Sequence, residues 1–191
     1  MKKHYISAQQ LLEDSFALAM QVFESGFRPH YIVGVWRGGA PVGIAVQELL
    51  QLLGIKSDHI AIRTSSYTGM GQRGRTVKVH GLRYVTDRIE EGEQLLLVDD
   101  VYDTGLSLAQ VLEDIEAHCQ KRKPDIRIAT PWFKPGNNKT PRSPDYYVHQ
   151  SSEWLVFPHE LDGLTLDEIR QHKPELASHL KSLELNLKSA D

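Results

Sequence analysis

Residues 95–107 read Leu95-Leu96-Leu97-Val98-Asp99-Asp100-Val101-Tyr102-Asp103-Thr104-Gly105-Leu106-Ser107, in which an apolar run is followed by three carboxylates and a small polar turn. The four apolar residues at its start have the length and composition of a strand that is buried on both faces, as in a parallel sheet. The Asp-Thr-Gly that follows is typical of a tight turn, and apolar residues recur after it with helical spacing. The stretch therefore predicts a buried strand, a turn and the start of a helix.

The predicted turn has the composition of a site for a phosphorylated sugar. Backbone N–H groups of such a turn, together with the positive end of the following helix, hold phosphate. Carboxylates cannot hold phosphate, so Asp99 and Asp100 would bind a different group. They can accept hydrogen bonds from two vicinal hydroxyls or hold water on a divalent cation. Asp103 or Thr104 alone could be a simple helix N-cap. The paired acids, the third acid and Ser107 together favour the binding site.

Composition and charge limit the class of protein. A length of 191 residues suits one compact domain over residues 1–191. The net charge of −3 gives no electrostatic footprint for nucleic acid, and no apolar stretch reaches membrane-spanning length. The start of the chain lacks a signal-peptide core, and Cys119 has no second cysteine with which to form a disulfide. We therefore expect a cytoplasmic protein with no nucleic-acid or membrane partner.

Strand-like and helical segments alternate along the chain. We expect strands over residues 31–35, 60–62, 95–98, 126–130 and 146–148, the last at a sheet edge. Helices are expected from a capping box of Ser7 and Gln10 to Gly26, over residues 42–50 and 108–115, and from a capping box of Thr165 and Glu168 over residues 165–188. The pattern predicts an α/β fold with a central, mostly parallel, twisted sheet flanked by helices.

Two further segments have the composition of ligand-binding loops. Trp36-Arg37-Gly38-Gly39 joins a strand to a helix and combines a bidentate cation with glycines that let the backbone approach a ligand, so it can hold a second anion. A tight connection with a solvated arginine explains the same residues equally well. Residues 65–75 are polar and rich in glycine, which is typical of a lid that excludes water and also of a solvated hairpin tip.

The stretch at residues 95–107 resembles the 5-phosphoribosyl-1-pyrophosphate (PRPP) motif of type I phosphoribosyltransferases, and it is most similar to that of the hypoxanthine and xanthine-guanine enzymes. The resemblance implies that Asp99 and Asp100 hold the ribose hydroxyls and the water on a Mg²⁺ ion. It implies that Asp103 exchanges a proton with the base as general base or acid. The 5′-phosphate would be held by Thr104, Gly105, Leu106 and Ser107.

The same resemblance extends to both loops. Arg37, Gly38 and Gly39 match the pyrophosphate loop, which is commonly Ser-Arg-Gly-Gly, and Trp36 stands in place of its serine. Ser65-Ser66-Tyr67 and the later Lys78 match the borders of the flexible catalytic loop, which would run over about residues 65–80.

A third group of residues is implied to bind the base. Lys134, in a Lys-Pro pair, matches the lysine that donates to O6 of a purine, and Trp154 matches the aromatic residue that stacks on the base. Leu155 follows it in a small hood over about residues 132–160. From the residues alone, a surface lysine and a core tryptophan are the alternatives. His159-Glu160 replaces the usual Trp-Asp, so the choice among hypoxanthine, guanine and xanthine stays open.

The resemblance implies transfer of the phosphoribosyl group from PRPP to a 6-oxopurine, with Mg²⁺, by a homodimer or homotetramer. Two alternatives remain: a phosphoribosyltransferase for another base, and a PRPP-sensing regulatory protein with a role on RNA or DNA. The resemblance covers residues 30 to 160, so the N-terminal helix and the residues after about 163 carry no motif.

Overall fold

The structure, a computed structural model, describes residues 2–67, 76–119 and 122–180. In chain order its elements are β1 (Lys3–Tyr5), α1 (Ala8–Glu24), β2 (Tyr31–Trp36), α2 (Gly39–Leu52), β3 (Asp58–Tyr67), β4 (Thr76–His80), α3 (Arg83–Thr86), β5 (Gln94–Val98), β6 (Val101–Tyr102), α4 (Leu106–Cys119), β7 (Asp125–Phe133), β8 (Tyr146–Gln150), β9 (Trp154–Val156) and α5 (Leu166–His172). A 3₁₀ turn follows β7 at Pro135–Asn137. No helix in the described residues is both long and apolar enough to span a membrane.

The chain divides into two compact units. Residues 9–152 form the core unit, and residues 1–8 with 153–191 form the terminal unit. The hood predicted over residues 132–160 is divided between them, because residues 132–152 belong to the core unit and residues 153–160 to the terminal unit. The organisation of the chain as one domain stays a prediction.

The core unit is built on a sheet of seven strands among those described. Its order is β4-β3-β2-β5-β7-β6, and β8 also pairs with β7. The described strand pairs are parallel apart from β3 with β4. The residues Leu95–Val98 of β5 are fully buried, as expected for a strand covered on both faces. The predicted α/β class with a central, mostly parallel sheet is confirmed.

The topology fixes where a ligand can bind. From β2 the chain passes to β3 on one side, and it later returns to place β5 on the other side of β2. Gly34 of β2 pairs with Val98 of β5, so the two strands end next to each other. Open α/β sheets bind ligands at the carboxyl ends of their strands, where the strand order reverses in this way. The turns after β2 and β5 both lie at this edge.

The predicted catalytic loop is shorter than the sequence indicated. Strand β3 extends to Tyr67 and pairs antiparallel with β4, with Ser65 opposite Lys78. Residues 65–67 and 76–80 are therefore strand and not loop. The sequence carried a signal for this, since Val77 and Val79 alternate with Lys78 and His80 at the period of a strand. The remaining residues of the predicted loop, 68–75, lie outside the described residues.

The terminal unit contains a small parallel pair and a helix. Strand β1 pairs with β9 in a register that sets Lys3 opposite Trp154. The predicted capping box of Thr165 and Glu168 opens α5. A continuous helix over residues 165–188 is wrong, because the helix stops at Lys173, where φ is −135° and ψ is 61°. Lys173 precedes Pro174, and a residue before proline is disfavoured in the helical region. Residues 174–180 are helical again, and 181–188 lie outside the described residues.

Candidate active site

The two adjacent carboxylates lie at the end of β5, in the middle of the sheet edge. Asp100 is buried, and its backbone N–H donates to Asp99 Oδ1 at 3.0 Å. The backbone N–H of Gly39 also donates to Asp99. Burial, and then the neighbouring Asp100 carboxylate, raise the pKa of Asp99 well above its ordinary value. Two carboxylates crowded in this way attract a cation or hydroxyl donors.

The glycine turn after β2 packs directly on the acid pair. A Cβ atom at Gly38 would overlap the Asp100 carboxylate, and one at Gly39 would overlap the backbone carbonyl of Val98. The side chain of Arg37 is exposed at the same turn, and the Trp36–Arg37 peptide bond is cis. The structure therefore packs the glycine turn, which the sequence assigned to an anion, against the acid pair, and only glycine allows this approach.

The turn after β6 has the shape of a phosphate cradle. Gly105 has a φ of +76°, and a Cβ atom there would lie 2.5 Å from the hydroxyl oxygen of Tyr102. Helix α4 starts at the next residue, so its free N–H groups face the turn. A cavity of about 90 Å³ is lined by Asp99, Val101, Tyr102, Asp103, Thr104, Gly105, Ser107 and Leu108. The side chain of Leu106 is exposed and does not line this cavity, and its backbone N–H donates to Thr104 Oγ1 at 3.5 Å.

Asp103 and Lys134 lie side by side in the core unit. Lys134 Nζ is 3.5 Å from Asp103 Oδ2, and the lysine side chain is only 12% exposed. Asn137 donates to Asp103 Oδ1 at 2.8 Å. Sequence reasoning missed Asn137, although it lies only three residues after the lysine that the resemblance singled out. One polar cluster therefore holds the predicted proton-transfer residue and the predicted base-binding lysine.

Backbone hydrogen bonds hold this cluster in place. Lys134 N–H donates to Tyr102 O at 2.9 Å, and Lys139 N–H donates to Thr104 O at 3.0 Å. The hydroxyl of the buried Tyr102 donates to Arg142 O at 2.9 Å. These hydrogen bonds join the segment after β7 to the turn at residues 102–105. This pairing places Lys134 beside Asp103.

His59 lies behind the glycine turn, and sequence reasoning assigned it no role. Its Nδ1 is 3.0 Å from Gln47 Oε1, and its buried Nε2 has no hydrogen-bond partner among the described residues. Burial lowers the pKa of His59, which favours the neutral ring. A Cβ atom at Gly43 would lie 2.9 Å from Nε2. The ring therefore fills the space beside the glycines of β2 and α2.

The predicted lid residues are described only in part. Ser65 Oγ is 3.4 Å from His80 Nε2, and the side chain of Lys78 is exposed. The side chains of Ser66 and Tyr67 lie outside the description. The assignment of these four residues to a lid stays a prediction.

The remaining predicted base-binding residues belong to the terminal unit. Trp154 is 55% exposed and lines a cavity of about 420 Å³. The other residues that line it are Lys3, Val156, Glu160, Asp162, Gly163 and Leu164. The side chain of Leu155 is buried, so only its backbone is left for a base. Since Lys134 belongs to the core unit, the joint assignment of Lys134, Trp154 and Leu155 to one base stays a prediction.

The chain is similar to known phosphoribosyl transferases in sequence and in fold. The sequence model of the phosphoribosyl transferase domain matches residues 4–164. A purine phosphoribosyltransferase from Pyrococcus horikoshii is 29% identical, with a TM-score of 0.66 over 86% of this chain and 98% of its own. The Helicobacter pylori xanthine-guanine-hypoxanthine phosphoribosyltransferase is 23% identical, with a TM-score of 0.64 over 90% of this chain and 100% of its own.

A hypothetical protein from Neisseria gonorrhoeae with bound ppGpp shares the fold. It is 20% identical, with a TM-score of 0.68 over 90% of this chain and 97% of its own. No curated protein sequence matches the chain significantly. The domain match spans most of the chain, and it includes both turns of the sheet edge and the segment of Lys134. The chain belongs to the type I phosphoribosyltransferase family.

Proposed function

We propose that the protein transfers the 5-phosphoribosyl group of PRPP to a 6-oxopurine base, which gives the nucleotide and pyrophosphate. One observation carries this proposal: the acid pair, the glycine turn and the phosphate cradle meet at one edge of the sheet, where the strand order reverses. The likeness to a purine phosphoribosyltransferase at 29% identity supports a purine as the acceptor.

Each part of PRPP has a matching part of this edge. The 5′-phosphate would bind the backbone N–H groups at Gly105 and Leu106 and the hydroxyls of Thr104 and Ser107. Asp99 and Asp100 would accept hydrogen bonds from the ribose hydroxyls. The pyrophosphate would bind the glycine turn and the exposed Arg37, whose planar guanidinium suits phosphate oxygens.

The acid pair also fits a Mg²⁺ ion. Magnesium takes oxygen ligands and is usually held by one or two carboxylates together with water and substrate phosphates. Asp99 and Asp100 offer such a pair, and a bound cation would favour the charged form of Asp99, whose pKa is raised by burial and by the Asp100 carboxylate. The described residues contain no cluster of three or more metal-ligating side chains, so water and substrate phosphates would supply the other ligands. When bound, the ion would offset negative charge on the leaving pyrophosphate.

Asp103 and Lys134 would act on the base. The reaction passes through a transition state with positive charge on the ribose, so the protein mainly positions groups and stabilises charge. The Asp103 carboxylate, held by Asn137 and Lys134, would exchange a proton with the purine as its N9 bonds to the sugar. The Lys134 ammonium has donors only, so it favours a base with a carbonyl at C6 over one with an amino group there.

A panel of bases tests the proposal. The purified protein is supplied with Mg²⁺, PRPP and one of hypoxanthine, guanine, xanthine, adenine or uracil, and nucleotide and pyrophosphate are both measured. We expect turnover with one or more of the three 6-oxopurines. Turnover with adenine or uracil alone would show that the base assignment is wrong. PRPP binding without turnover on any base would favour a regulatory protein.

A further inference from the structure

The cavity beside Trp154 has two walls, and both are held by a helix that lies outside the matched domain. One wall is the parallel pair of β1 and β9, in which Lys3 lies opposite Trp154. The other wall is the turn that contains Glu160 and residues 162–164. The family match ends at residue 164, whereas helix α5 begins at Leu166. The family motifs therefore leave this helix without a role.

Lys173, at the end of α5, fixes the second wall. Its ammonium donates to Phe157 O at 2.9 Å and to Pro158 O at 3.0 Å. The same turn is closed from within, because Phe157 N–H donates to Glu160 Oε2 at 3.1 Å and Glu160 N–H donates to Phe157 O at 3.0 Å. Lys173 thus holds the carbonyl groups of the turn that orients Glu160 at the cavity.

Glu168, one turn earlier in α5, fixes the first wall. It accepts hydrogen bonds from Lys3 Nζ at 2.6 Å and from Tyr5 Oη at 2.9 Å, both on β1. Lys3 Nζ also lies 3.4 Å from Gly163 O, which links the two walls. The Tyr5 ring stacks on His172 of α5 at 3.7 Å between ring centroids. Helix α5 therefore contacts β1 through an ion pair, a hydrogen bond and a ring stack.

We propose that helix α5 positions the base pocket, with Lys173 and Glu168 as positioning residues that set the width of the cavity beside Trp154. This inference rests on the proposed function and on the sequence prediction that Trp154 stacks on the base. The strength of stacking depends on the geometry between the base and the ring, and a pocket wall at a fixed position helps to hold the base in that geometry. The PRPP groups belong to the core unit, so loosening α5 should weaken base binding and leave PRPP binding unchanged.

Kinetics of four variants test the positioning role of α5, and three of them concern Lys173 and its control. Lys173→Met keeps the length of the side chain and removes both hydrogen bonds, so KM for the preferred base should rise about tenfold, the order of one lost charged hydrogen bond. KM for PRPP and kcat should stay unchanged. Lys173→Arg should restore KM, since a guanidinium can donate to both carbonyls. Arg170→Met is the matched control, because its ion pair with Asp167 lies within α5.

Glu168→Gln is the fourth variant, and it removes a contact that holds the other wall of the cavity, the pair of β1 and β9. Glutamine keeps the capping box but loses the charge that holds Lys3, so the same selective rise in base KM is expected. Amide hydrogen exchange supplies a measurement that does not need turnover. Residues 157–164 should exchange faster in Lys173→Met than in the wild type, and at the wild-type rate in Arg170→Met.

The outcomes separate this inference from the proposed function. A wild-type protein that uses no 6-oxopurine refutes the proposed function, and with it the assignment of the cavity to the base. An active wild type with an unchanged base KM in Lys173→Met, or with unchanged exchange over residues 157–164, refutes the positioning role alone. A rise in the KM values for base and PRPP together would indicate general loosening and would also overturn it.

Discussion

Asp103 is held from two sides, by the ammonium of Lys134 at 3.5 Å and by the amide of Asn137 at 2.8 Å. A carboxylate fixed in this way has one preferred direction for proton exchange, which is what general acid–base catalysis needs. The same contacts mean that a change at Lys134 also alters the surroundings of Asp103. Kinetic effects at the two residues should therefore be coupled.

Asp103→Asn keeps the size of the side chain and removes its capacity to take a proton. We expect kcat to fall by about ten- to ten-thousand-fold, the usual span for loss of a general acid or base, with a smaller change in PRPP affinity. Steady-state kinetics with the preferred base measures this. Asp87→Asn, at an exposed carboxylate, is the control. An unchanged kcat in Asp103→Asn would remove the proton-transfer role.

Lys134→Ala tests recognition of the base. The lysine side chain is only 12% exposed, so its loss would leave a C6 carbonyl without a donor in a largely dry site, at a cost of about 1–3 kcal/mol. We expect KM for hypoxanthine or guanine to rise while KM for PRPP stays near the wild-type value. Some loss of kcat should accompany it through Asp103. If the variant binds PRPP more weakly and binds the base as the wild type does, Lys134 belongs to the phosphate site.

Individual residues could be predicted where a short motif carries them. Asp99, Asp103 and Gly105 follow one another along the chain, so their order and spacing are enough to select them as candidates. Asn137 and His59 could not be found in this way, because their roles arise when separate parts of the chain meet. Asn137 donates to Asp103 in a segment whose Lys134 N–H bonds Tyr102 O, and this pairing joins parts of the chain about 30 residues apart.

The glycine turn is the element with the tightest packing at the site. Gly39 lies against the backbone of β5, and backbone atoms, unlike the end of a long side chain, have no rotamer with which to move away. The turn and the acid pair are thus one packed unit, and a change in one must displace the other.

Gly39→Ala should both destabilise the protein and abolish activity. Its added methyl group would overlap Val98 O, and overpacking of this kind costs about 1–3 kcal/mol. Thermal unfolding and turnover are the measurements. Gly136→Ala is the control, since a Cβ atom there meets no other atom within 4 Å. Full activity at unchanged thermal stability in Gly39→Ala would show that the turn does not pack on the acid pair.

Elements could be predicted to the extent that they are long and periodic. The apolar run that forms β5 and the capping box of α5 were both readable from the sequence. Strand β6 has two residues and β1 has three, and runs that short show no period. Their pairing with β7 and β9 supplies the stability that the local sequence lacks.

In the molecule as a whole, the central sheet brings turns from different parts of the chain to one edge. The turn after β2 is far along the chain from the turns after β5 and β6, and parallel pairing with register fixed by buried apolar residues aligns the strand ends. A ligand that touches several of these turns must stabilise the unit that carries them, because it binds the folded state alone. Ligand-induced stabilisation therefore reports on the assembled site.

PRPP with Mg²⁺ should raise the midpoint of thermal unfolding. At a concentration about 100 times Kd, a ligand stabilises the folded state by about 2.7 kcal/mol, which corresponds to roughly 5–10 °C for a chain of this size. Asp99→Asn combined with Asp100→Asn should remove this shift.

Without ligand the double variant should unfold no earlier than the wild type near neutral pH, since the raised pKa of Asp99 means that its charge opposes folding there. Scanning fluorimetry of both proteins measures the two effects. A wild-type shift in the double variant would show that PRPP binds elsewhere, and a large loss of stability without ligand would show that the acid pair supports the fold.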